Sequence, residues 1–336
     1  FKCSHLSMDA LAFVPQALAL SRAVGRFAAT RPTALSSQSR ALNVISARFS
    51  FSPLAHGYRA RSSRSLIGQD AFLGTRVAFV HQTGRNVLRM QSVSVPAKPT
   101  TKEVGEPETL EYRVFFYVDG EKSLSPWHDI PLYVSEADGV VNTIVEIPKG
   151  TRAKMEIATT EKGTPIKQDT KKGKLRYYTY GDMLFNYGAI PQTWEDPSVE
   201  QEETEAKGDN DPVDVVEIGS AAAPIGSLIQ VKVLGCLGLI DEGECDWKII
   251  GLNTSDPLAS KVNDLKDVET YFPGVVDTIR TWFRDYKIPD GKEANSYAFG
   301  GEARDKEYAL KVIAHTHDSW KKLMSGATPA DDLSLE

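Results

Sequence analysis

The sequence predicts an α+β domain in which a barrel-like sheet is dressed with helices. Three observations predict it. Runs rich in β-branched and aromatic residues, bounded by turn residues, follow one another between Tyr112 and Leu252. Helical periodicity appears only after them. The strand–helix alternation that builds a doubly wound parallel sheet is missing.

Charge sets the outer limits of that domain. Residues 1–100 hold thirteen Lys and Arg against Asp9 and Asp70, a net +11, so with −6 for the whole chain the rest carries −17. An Arg-rich, Ser-rich, acid-poor segment is the signature of an organelle transit peptide and is set aside from fold reasoning. Ala10-Leu11-Ala12 before Phe13-Val14-Pro15 resembles the cleavage site of a secondary-plastid leader, and Met8 is a candidate start. Leu11 to Leu20, interrupted by Pro15 and Gln16, is too short to span a bilayer. The arginines lack the interleaved aromatics of a nucleic-acid arm, and the acidic remainder argues against a nucleic-acid groove. Cys236 and Cys245 form no Cys-x-x-Cys pair, which fits a reduced, soluble compartment. The expected organisation is a disordered leader over 1–100, a catalytic domain over 101–325 and a short tail over 326–336.

Strands are expected at Tyr112–Val118, Val140–Ile147, Ala153–Ala158, Val213–Ile218, Leu228–Leu239 and Trp247–Leu252. Helices are expected where Val275, Ile279, Trp282, Phe283 and Tyr286 recur at three- and four-residue steps, and again from Tyr308 to Leu323.

The chemistry-bearing residues sit on these elements. Asp209, Asp211 and Asp214 fall within six positions, and Pro212 stiffens the strand entrance that carries them. Carboxylates so close must be solvated or neutralised by cations. The period of two puts Lys154 and Glu156 on one face and Met155 and Ile157 on the other. Glu146 ends its strand just before Pro148. In Asp241-Glu242-Gly243-Glu244-Cys245-Asp246-Trp247-Lys248, Gly243 predicts a hairpin that brings Asp241 and Asp246 close, with Trp247 anchoring the second strand. Arg176, Tyr187, Tyr286 and Lys287 offer fixed donors for phosphate oxygens. An EF-hand loop, which needs oxygen ligands at alternate positions and then glycine, is excluded by Pro212 and Val213. His315 and His317, two apart in a helix, face away from each other and give no zinc site. Oxygen-only ligands imply a hard cation such as Mg²⁺, and with a Lys, Arg and Tyr surround they suggest phosphoryl transfer to water.

Together these residues resemble family I soluble inorganic pyrophosphatase of the eukaryotic type, from about Tyr112 to Met324. The resemblance rests on Glu146-Ile147-Pro148, Ala153-Lys154-Met155-Glu156, Gln168 to Arg176, Asn186-Tyr187-Gly188, Pro191 to Pro197, Asp209 to Asp214, Asp241 to Lys248 and Tyr286 to Lys292. It implies a mainly antiparallel, five-stranded OB-like barrel with flanking helices and the site at one barrel mouth. It implies Mg²⁺-dependent hydrolysis of pyrophosphate to two orthophosphates by a metal-bridged hydroxide attacking phosphorus in line.

By the same resemblance Asp209, Asp214 and Asp246 hold a first Mg²⁺, Asp214 touches a second, and Asp241 with Asp246 serves a third. Glu156 supports metal-bound water, Glu146 belongs to the carboxylate surround, and Asp211 is the general base. Lys154, Arg176, Tyr187, Tyr286, Lys287 and Lys248 hold the phosphates. Met183 stands where many relatives carry a tyrosine, and Lys149 where several carry arginine. The alternatives are a non-catalytic scaffold on this fold, or hydrolysis of longer polyphosphates or nucleotides. The expected partner is the substrate alone, with no nucleic acid and no membrane, in a monomer or homodimer. The expected compartment is the plastid stroma, with the mitochondrial matrix or cytoplasm as alternatives.

Overall fold

The computed structural model describes residues 99–336, so the leader expected over 1–100 lies outside the described residues except for its last two positions. The β-rich stretch folds as nine principal strands. They are β1 (Thr100–Val104), β2 (Arg113–Val118), β3 (Val140–Ile147), β4 (Met155–Ile157), β5 (Ile166–Gln168), β6 (Asn186–Ala189), β7 (Asp214–Glu217), β8 (Leu228–Asp241) and β9 (Glu244–Asn253). Three helices follow: α1 (Leu265–Tyr271), α2 (Val275–Asp285) and α3 (Lys306–Met324). The architecture is therefore α+β, with the helices last.

The smaller sheet runs β1-β2-β5-β4, all antiparallel. In the larger sheet β3 pairs with β6, β6 with β7, β7 with β9, β9 with β8, and β8 with β3. Of these only β7 and β9 run parallel. β3 is buried along almost its whole length, including Asn142, Thr143 and Glu146, because both of its faces are covered.

Strand alternation sorts β9 into two faces. Cys245, Trp247 and Ile249 pack with Ala309, Val312 and Ile313 of α3. Asp246 and Lys248 point the other way, on the side of the Leu237 and Leu239 cluster. Burying Trp247 thus fixes where its two charged neighbours project. The hairpin joining β8 to β9 turns on Glu242 and Gly243, at φ 52° and 97°. Two left-handed residues in a two-residue loop match the strand twist, as the position of Gly243 predicted.

Expectation and structure differ in places. The strand expected over Ala153–Ala158 shrinks to β4, because the Lys154 backbone bonds instead to Arg176 and Asp169. β6 and α1 escape sequence reading: the first is four residues long, and the second buries only Val268. The segment expected as a tail is laid onto the fold. Leu333 joins the main apolar cluster, Ser334 donates its N–H to the Thr159 carbonyl at 2.8 Å, and the Ser334 carbonyl contacts His128 Nε2.

Candidate active site

A cavity of about 320 Å³ opens between β4, β7, the β8–β9 hairpin and the end of α2. Its walls include Glu146, Lys154, Glu156, Arg176, Tyr187, Asp209, Asp211, Asp214, Asp241, Asp246, Lys248, Tyr286 and Lys287. Every residue assigned a role from sequence reaches this one cavity.

Local structure delivers each side chain. Asp209 accepts the N–H of Asp211 at 3.0 Å in a turn where Asn210 takes φ 75°, and Asp214 opens β7. Gly208 must be glycine: a Cβ there would lie 2.3 Å from the Glu195 carbonyl. That close crossing brings Glu195 beneath Asp209. Asp241, Glu244 and Asp246 share one face of the hairpin, since Asp241 lies opposite Glu244 and Asp246 opposite Leu239. Helix α2 buries Ile279, Trp282 and Phe283, and Tyr286 stacks on Trp282 with centroids 5.3 Å apart. The Tyr286 hydroxyl then donates to Asp241 at 2.8 Å, and Lys287 bonds the same carboxylate.

Cations and acids are interleaved. Lys248, with a side chain only 2% exposed, bonds Asp214 at 2.5 Å, both Asp246 oxygens and the Tyr187 hydroxyl. Tyr187 in turn donates to Asp214. Lys154 bonds Glu156 at 2.5 Å, as their shared face predicts. Arg176 donates to Asp169 at 2.8 Å, and Asp169 lies 3.5 Å from Lys154, so one carboxylate spaces two cations.

Burial and crowding dominate the electrostatics. Burial, then the charge of Asp214, holds Glu146 well above the usual carboxylate range, against the Ile157 N–H that it accepts at 2.7 Å. Burial and Asp211 raise Asp209. Burial raises Asp246 in spite of Lys248. Asp211 is pushed up to about 7 by burial and by Glu156, although solvent in the cavity reaches its side chain and tempers the effect.

Glu195, Asp169 and Tyr178 were not singled out from sequence. Glu195 is 1% exposed; it accepts the Trp247 N–H at 3.1 Å through Oε1, while its Oε2 has no partner. Carboxylate oxygens of Glu195, Asp209 and Asp246 lie within 4.8 Å of one another. A buried, unpaired oxygen facing two more carboxylates fits a hard divalent cation, which would neutralise all three. In the sequence Glu195 and Asp169 stood only as members of the Pro191–Pro197 and Gln168–Arg176 motifs, with no role attached. Met183 is fully buried in the apolar cluster and does not line the cavity.

An α+β fold with an acidic, all-oxygen floor beneath Lys, Arg and Tyr donors defines a hydrolase-type site suited to a compact polyanion and hard cations. The model of the inorganic pyrophosphatase family matches residues 143–321. Soluble inorganic pyrophosphatase 6, chloroplastic, of Arabidopsis thaliana is 57% identical over 235 residues, covering 70% of this chain and 77% of that protein. An inorganic pyrophosphatase of Candida glabrata is 53% identical, covering 70% and 84%. Among solved structures, inorganic pyrophosphatase from Schistosoma japonicum superposes with TM-score 0.68 at 48% identity, covering 70% of this chain and 85% of that one. An N-terminally truncated vacuolar soluble pyrophosphatase of Trypanosoma cruzi, in complex with PPi, gives 0.66 at 44%, covering 74% and 100%. The chain belongs to the inorganic pyrophosphatase family.

Proposed function

We propose that this chain hydrolyses inorganic pyrophosphate to two orthophosphates with the help of Mg²⁺. One observation carries the reading: side chains from seven separated stretches of sequence, all with chemistry suited to phosphoanhydride hydrolysis, line a single cavity. Asp209, Asp214 and Asp246 would hold one cation, with Glu195 beside them, and Asp241 with Asp246 would serve another. Glu156 and Glu146 complete the acidic surround. Bound there, Mg²⁺ would neutralise phosphate charge and lower the pKa of water.

The protein's own groups do the rest. Lys154, Arg176, Lys248 and Lys287 balance the phosphate charges, and Tyr187 and Tyr286 orient the phosphoryl oxygens. Asp211, which lines the cavity between Asp209 and Asp214, accepts the proton of the attacking water. We read the circuit of pairs through β3, β6, β7, β9 and β8 as the five-stranded OB-type barrel, with the site at its mouth. A leader over 1–100 and a chloroplastic relative support a plastid compartment. A cytosolic location for a fluorescent fusion of that leader would refute it. Sedimentation distinguishes monomer from homodimer.

Phosphate release from pyrophosphate with Mg²⁺, compared with Asp211→Asn and Asp214→Ala, tests the enzyme reading. We expect losses of roughly 10²–10⁴-fold for the base variant. Equal turnover would leave the scaffold alternative, which otherwise gives no reason for so many buried acids. Competition by tripolyphosphate or nucleotides measures selectivity.

A further inference from the structure

Tyr178 lines the same cavity yet has no part in the mechanism above. Its side chain is held firmly. Its N–H donates to the Arg152 carbonyl at 2.8 Å, and its ring meets Trp282 and Tyr286 edge-on with centroids 4.9 and 5.8 Å apart. The residue is only 5% exposed.

The hydroxyl is the informative atom. Tyr187 and Tyr286 spend theirs on Asp214 and Asp241. Tyr178 has no such carboxylate. Among the described residues, fully enclosed side-chain polar atoms without a partner occur only on Thr143, Glu195 and Arg304, so the Tyr178 hydroxyl is not sealed in protein and opens on the cavity. The charges of Lys154, Lys248 and Arg176 act on it against the single acid Asp214, so the cations around it outnumber the carboxylate and suit an oxyanion. Burial raises its pKa, so the phenol remains a donor across the physiological range.

We propose that Tyr178 donates a hydrogen bond to a phosphoryl oxygen of the bound substrate, as a third phenol beside Tyr187 and Tyr286. This rests on the pyrophosphatase reading. The ring is locked by aromatic packing before substrate arrives, so little freedom is lost on binding.

Tyr178→Phe keeps the ring and its packing while deleting the donor. Hydrogen bonds to charged groups are worth enough to weaken binding of methylenediphosphonate, a non-hydrolysable probe, by about tenfold. We expect that loss in titration calorimetry with Mg²⁺ present, a similar fall in kcat/KM for pyrophosphate, and an unchanged melting temperature and Mg²⁺ response. Tyr180→Phe is the control, since Tyr180 is 38% exposed and lies outside the cavity lining; it should bind the probe as the parent does. Unchanged probe binding in Tyr178→Phe overturns the proposal. So does a loss accompanied by an equal loss of stability or Mg²⁺ response, which marks a purely structural role. Absence of pyrophosphate hydrolysis by the parent protein would instead sink the enzymatic reading, because probe binding reports the contact independently.

Discussion

Replacing Lys248 by methionine tests how the acidic floor is stabilised. The ammonium lies 2.5 Å from Asp214, bonds Asp246 as well, and is shielded from solvent. At an effective dielectric of about 20, one such pair attracts by roughly 6–7 kcal/mol before desolvation is charged against it. Removing one member of a buried pair typically costs about 3–5 kcal/mol, because the remaining charges lose their compensation. For a folded region of this size that corresponds to a drop of roughly 6–20 °C in melting temperature. Metal-free Lys248→Met in EDTA should show that drop in calorimetry. With Mg²⁺ the loss should shrink by more than half, since a divalent cation on Asp214 and Asp246 supplies the missing positive charge. A loss below about 1 kcal/mol in EDTA, or an equal loss with and without Mg²⁺, would refute the reasoning.

Three other outcomes follow from the same geometry. Carboxylate oxygens within 4.8 Å repel by roughly 3–4 kcal/mol at that dielectric, so Glu195→Gln should stabilise the metal-free protein and weaken Mg²⁺ binding about tenfold in calorimetry; no change in either would remove Glu195 from the cation site. Glu146, Asp209, Asp246 and Asp211 all have folded-state pKa values above their unfolded ones. Their contribution is full below the unfolded value near 4 and is lost as pH rises through the folded value, about 7 for Asp211. Metal-free protein should therefore melt at lower temperature at about pH 8.5 than at about pH 7.5, where His128, its pKa lowered by burial, is almost wholly neutral in both states, and a rise would contradict the burial argument. Leu333→Ala should cost about 2–4 kcal/mol in denaturant titration, because Leu333 is 9% exposed within the main cluster; a cost near zero would make the last residues a true tail.

Sequence by itself determined most of the elements. Alternation and helical spacing are local signals, so the long strands β3, β8 and β9 and the helices α2 and α3 fall close to where the pattern puts them. The hairpin at Gly243 and the shared face of Lys154 and Glu156 were legible for the same reason. The individual roles of the reactive residues came from resemblance, which preserves order along the chain and says nothing of what surrounds each one. Tertiary structure decided the surroundings. Glu195 reads as one acid in a polar loop until Gly208 lets two backbones touch and buries it against Asp209. Asp169 becomes the spacer between Lys154 and Arg176 only when those strands meet. Leu333 reads as tail until it finds the apolar cluster. Burial and charge coupling depend on neighbours far away in sequence, and no local period encodes them.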